Sequence, residues 1–137
     1  MTARIEAALF YKVTQNSGVS TLIGTRFTPT TLPQTVVLFP AAVYQFIGGN
    51  AIQEHGNPSS LPRSRVQITC WSTNFDDPVA VDKAIKTAID GKRESWGTGS
   101  YVTKVLSCIA ETTPRDDKDP VTGLFWRSRD YFIRWQE

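Results

Sequence analysis

Hydrophobic and polar positions alternate with different periods along this chain. Near the start, Ile5, Ala8, Leu9, Lys12 and Val13 recur at i, i+3, i+4, i+7 and i+8. This places them on one mostly apolar helical face, with Thr2 in position to cap it. Asn16, Ser17 and Gly18 break the pattern, and "VSTLIG" reads as a short helical turn closed by Gly24. The next stretch, "TRFTPTTLPQTVVLFP", carries Pro29, Pro33 and Pro40. Proline removes a ladder donor, so this stretch reads as extended, irregular chain.

Strand-like runs follow at 41–47, 65–72, 101–111 and 124–135. In "RVQITCWS" the period is two: Val66, Ile68 and Cys70 on one face, Gln67, Thr69 and Trp71 on the other. A helix between the second and third runs has Asp77 as cap, Pro78 at its first position and Val81, Ala84, Ile85 and Ala88 as its stripe, with Gly91 after its end. The order helix, loop, strand, strand, helix, strand, strand predicts an α+β fold. Its sheet is antiparallel and four-stranded, with two helices packed on one face and long inter-strand loops. Strand order is open at this stage.

Two features point past a lone subunit. The first and last strand runs carry bulky apolar residues on both faces: Val43 and Ile47 opposite Tyr44 and Phe46, and Trp126 and Phe132 opposite Tyr131, Ile133 and Trp135. A sheet with one solvated face alternates more cleanly. Either these aromatics are half-exposed, or a further chain covers the second face. The loops at 48–64 and 112–123 are also long for antiparallel neighbours, where two to five residues is usual.

With 137 residues the chain suits one domain, 1–137, which buries about two-thirds of its unfolded surface. The net charge of +2 gives no bulk attraction to polyanions. No run approaches the ~20 apolar residues of a membrane span, and the first residues show helical periodicity instead of a signal peptide's block. Cys70 and Cys108 lie far apart in apolar strand runs, as expected of reduced core thiols in a soluble protein of a reducing compartment.

Candidate chemistry is sparse. His55, the only histidine, has Glu54 beside it but no second histidine, serine elbow or nearby cysteine. Asp116, Asp117 and Asp119 lack the spacing of a calcium loop, and "GTGS" lacks the lysine of a phosphate-binding loop. "RSRDYFIRWQ" mixes arginines with aromatics but lacks an RNP pattern. Arg127 and Arg129 share a face with Tyr131, where cation–π contact or an ion pair between subunits is equally open. No catalytic residue, metal set or cofactor site is expected.

Taken in order, "GVSTLIGTRFTPTTLP", a strand ending in Gly-Gly, a long loop with His-Gly, "RVQITCWS", "DDPVAVDKAIKTAIDG" and an acidic loop before "WRSRDYFIRW" resemble one family over residues 5 to 135. The family is the small tail-completion, or tail-to-head joining, proteins of long-tailed bacteriophages. The chain is similar also to the tail terminators that share their fold. The resemblance implies a virion protein of the head–tail junction, made in the host cytoplasm and assembled there into a ring of six copies. Its partners would be the head connector and the tail tube, with DNA passing through its channel without being gripped and no membrane involved. The candidate interface lies on the loops and outer sheet face: Asn50, Glu54, His55, Arg63, Arg115, Asp116, Asp117, Lys118, Tyr44, Trp71, Trp126 and Arg129. A tail terminator, and from another class a small adaptor or single-stranded nucleic-acid-binding module, remain open alternatives.

Overall fold

A computed structural model describes residues 4–29, 38–47, 63–97 and 102–136. The expected Thr2 cap and most of the loop at 48–64 lie outside the described residues. Helix α1 spans Arg4–Thr14 and buries Ile5, Ala8, Leu9 and Val13 as its periodicity requires. Helix α2, Ser17–Ile23, starts at Asn16, whose side chain accepts the Val19 N–H at 3.2 Å. It stops at Gly24, where φ is 59°, a conformation glycine adopts without steric cost.

Helix α3 spans Asp76–Ile89. Asp77 is therefore inside the first turn instead of capping it, and Asn74 takes the capping part: its Oδ1 accepts the Asp77 N–H at 2.9 Å. Asp77 Oδ2 in turn accepts from Ser72 Oγ and Asn74 Nδ2. Pro78 still sits in the first turn, where its missing N–H costs nothing. At the far end, Gly91 donates to the Cys108 carbonyl and Asp90 Oδ1 accepts from Ala110, so the helix is tied to the third long strand.

Among the described residues the sheet has seven strands: β1 (Phe27–Pro29), β2 (Ala41–Ile47), β3 (Arg63–Ser72), β4 (Glu94–Trp96), β5 (Thr103–Ala110), β6 (Arg115–Lys118) and β7 (Phe125–Gln136). The order is β1-β2-β3-β7-β5-β4, with β6 also on β7. The four expected long strands are β2, β3, β5 and β7, and all their pairings are antiparallel. The four-stranded, wholly antiparallel description needs correction on three short strands and a third helix. β1 lies parallel to β2, because the prolines that exclude a central strand permit an edge strand. β6 forms within what reads as a polar loop. Pairing of β5 with β7 ends at Tyr131, which leaves the backbone of Phe125–Ser128 without a partner on that side, and β6 fills it.

Helix α3 lies against β3 and β7, with α1 and α2 beside it. Val66, Ile68, Cys70, Tyr131 and Ile133 face these helices and are buried with Val81, Ile85 and Ile89. No helix among the described residues is long and apolar enough to cross a membrane.

Candidate functional site

The sheet face away from the helices follows from the register. Its rows run Ala41–Trp71–Trp126–Asp117, Val43–Thr69–Ser128–Arg115, Gln45–Gln67–Asp130 and Ile47–Arg65–Phe132–Ile109. Alternation along each strand puts these side chains outward together. The polar middle of this face is nevertheless buried, with Asp130 at 0% and Ser128 at 1% exposure.

A buried carboxylate must be paired. Asp130 Oδ2 accepts from Arg65 Nε at 2.8 Å and also from Arg65 Nη2, while Oδ1 accepts from Arg115 Nη2 at 3.0 Å. Ser128 Oγ accepts from Gln67 Nε2 at 2.9 Å and Thr69 Oγ1 at 3.3 Å. Arg65 and Arg115 are about half exposed, so their remaining donors point toward solvent. Aromatic rings flank this network. Trp71 and Trp126 meet at 6.2 Å between centroids, and the Arg65 guanidinium stands 5.8 Å from the Phe132 centroid.

On the other side of the sheet, a second charged chain fixes the β6–β7 hairpin. Arg127 donates to both Asp116 oxygens, at 2.6 and 2.9 Å, and its Nη1 lies 3.8 Å from Asp82 Oδ2. Asp82 is itself held by Arg129. Hydrogen bonding to Asp116 and Asp82 raises the pKa of Arg127 and Arg129 respectively, so both stay charged. Beyond these pairs, Lys118 sits over the Phe125 ring at 5.2 Å, and the turn at 119–123 projects with Val121 90% exposed. The Asp119 carboxylate accepts the Val121 N–H, which lowers its pKa.

Of the candidate interface residues, the register brings Trp71, Trp126, Arg115 and Asp117 together on the outer face. Asp116 and Lys118 belong to the same hairpin but alternate to its other side, where Asp116 meets Arg127. Arg63 opens β3 opposite Arg134. Tyr44 and Arg129 are corrected: both are buried on the helix side, Tyr44 against Phe27 and Arg129 on Asp82. Asn50, Glu54 and His55 fall outside the described residues. Sequence reasoning missed Arg65, Gln67, Ser128, Asp130 and Asp82. The one available signal was Asp82 itself, an acidic residue three positions before Ile85 on an apolar stripe.

No group of three or more His, Cys, Asp or Glu among the described residues is placed to hold a metal ion. The face offers donors, acceptors and aromatic surface. The family model described as tail completion protein gp17 matches residues 7–128. Among solved structures, the chain is similar to a chain from the virion of a native gene transfer agent particle. The TM-score is 0.71 at 11% identity, over 97% of this chain and 95% of that one, a likeness of fold. No curated protein sequence matches the chain.

Proposed function

The chain belongs to the tail completion protein gp17 family, structural proteins of phage tails, and from that premise we propose that it completes the tail as a ring at the head–tail junction. Six copies would surround a channel that DNA crosses, one rim meeting the head connector and the other the tail tube. The subunits are made in the host cytoplasm and end in the virion.

One observation carries this reading beyond the family match. The outer sheet face combines half-exposed arginines anchored on Asp130 with the paired rings of Trp71 and Trp126, and it lies beside the projecting β6–β7 hairpin. A face of fixed cations and aromatic rings suits protein contact, where Arg and Trp are enriched. The similar fold of the gene transfer agent chain, which comes from a virion, supports the same location. The balanced charge of the chain suits a channel through which DNA slides, because retention needs many unopposed cations.

The test is to stop translation of this gene in its parent phage and image the lysate by negative stain. Filled heads beside unattached tails of normal length are expected. Tails of uncontrolled length would reassign the protein to tail termination. Intact, infectious particles would refute the proposal.

A further inference from the structure

Resting on the ring reading above, we infer that neighbouring copies join head to tail, the β6–β7 hairpin of one subunit seated on the opposite end of the sheet of the next. The two surfaces sit on one strand. β7 pairs with β6 over Phe125–Ser128 and with β5 over Tyr131–Gln136. From Trp126, the partner of Asp117, to Arg134 is eight residues of strand, roughly 26 Å at about 3.3 Å per residue. The surfaces therefore do not meet within one chain, and among the described residues neither is covered by the other.

Their chemistry is complementary. The hairpin presents Asp117 and Asp119 with Val121 at its tip. Of its other charges, Arg115 pairs with Asp130 and Asp116 with Arg127, while Lys118 keeps its charge but alternates to the other side of the hairpin, over the Phe125 ring. The unpaired charge beside Asp117 is thus acidic. At the other end, Arg134 and Lys104 are exposed on the outer face and pair with nothing among the described residues. Beside them Ile109, 61% exposed, lies across from Phe132 and forms an apolar seat for Val121.

Two unlike patches in mutual contact form a heterologous interface, the kind that closes into a ring when the rotation between copies is right. The occupant of the Arg134–Lys104 end is thus a second copy of this chain.

The experiment uses particles of the parent phage carrying Ile109→Cys and Val121→Cys together. The native Cys70 and Cys108 are buried and do not interfere. Mild oxidation should give a ladder of linked multimers on a non-reducing gel, while each single variant gives monomers only. Asp117→Arg with Asp119→Arg should abolish the ladder, and adding Lys104→Asp with Arg134→Asp should restore it. Particles that hold several copies per neck by quantitative mass spectrometry, yet show no ladder, overturn the interface and leave the ring. A single copy per particle refutes the ring itself. A ladder indifferent to the acidic reversals, with the Lys104 and Arg134 reversals instead altering DNA ejection, overturns the proposal and assigns that end to DNA.

Discussion

Arg129 grips Asp82 with two hydrogen bonds, Nε to Oδ1 at 3.1 Å and Nη2 to Oδ2 at 2.9 Å. The remaining nitrogen, Nη1, donates to the Glu111 carbonyl at 2.5 Å. One guanidinium thereby ties α3, β7 and the chain entering the β6–β7 hairpin. Both partners are almost inaccessible to water, Arg129 at 5% and Asp82 at 3%. The buried ion pair thus stands where the chain leaves β5 for the β6–β7 hairpin.

Breaking that pair is expected to be costly. Asp82→Ala leaves a buried guanidinium without its counter-ion, and about 3–5 kcal/mol of stability should be lost. The urea midpoint should fall with an unchanged slope. Replacing both partners, Asp82→Leu with Arg129→Met, should recover most of the loss, because the desolvation penalty goes with the charges. A loss below about 1 kcal/mol in Asp82→Ala would mean that the pair does not hold the fold.

The Arg127–Asp116 pair is closer to solvent and should behave differently. Asp116→Asn is expected to change global stability by about 1 kcal/mol or less, as for exposed pairs. Its effect should be local: faster amide exchange in Arg115–Lys118, with the centre of the β3–β7 ladder unchanged. Equal acceleration in both places would show that the hairpin and the sheet open as one unit.

How much of this was legible beforehand depended on whether a signal was local. The apolar stripe of α1, the β3 alternation and the Gly24 stop depend on neighbours within a few residues, and each stands where the sequence pattern put it. β6 was not legible, since "RDDK" has no strand propensity and pairs only because β5 leaves half of β7 uncovered. β1 was hidden by its prolines for a similar reason: an edge strand tolerates what a central one rejects. The outer network joins Arg65, Arg115 and Asp130 from three strands. Only the register reveals such a cluster, so single-residue reasoning selected Trp71 and Trp126 but passed over Asp130.

The two cysteines should be inert in the folded protein. Burial and the nearby Asp82 charge push the Cys70 thiol well up, and burial pushes Cys108 up to about 12. The thiolate is the reactive form, so almost none exists at neutral pH. A colourless aromatic disulfide reagent should release no chromophore from native protein at pH 8, and two equivalents after denaturation. Fast reaction of one thiol in native protein would mean that the β3 or β5 interior opens readily.

The last prediction concerns acid. Lys12 on α1 lies 2.6 Å from Glu94 on β4, and Trp96 Nε1 donates to the same carboxylate at 3.2 Å. Hydrogen bonding to Lys12 is the main cause that lowers the Glu94 pKa. A carboxylate whose folded pKa is depressed adds stability that is complete above its unfolded value of about 4.3 and is lost as the pH falls through the folded value. The pair is partly exposed, so solvent screening limits its contribution to about 0.5 kcal/mol or less. Stability curves are therefore a poor readout, and the Trp96 indole N–H is a better one. Its proton resonance, assigned by its loss in Trp96→Phe, should move with a midpoint below the ordinary glutamate value. Lys12→Met should shift that midpoint upward, and Glu94→Gln should remove the titration. A midpoint that ignores Lys12→Met would show that α1 does not reach β4 in solution.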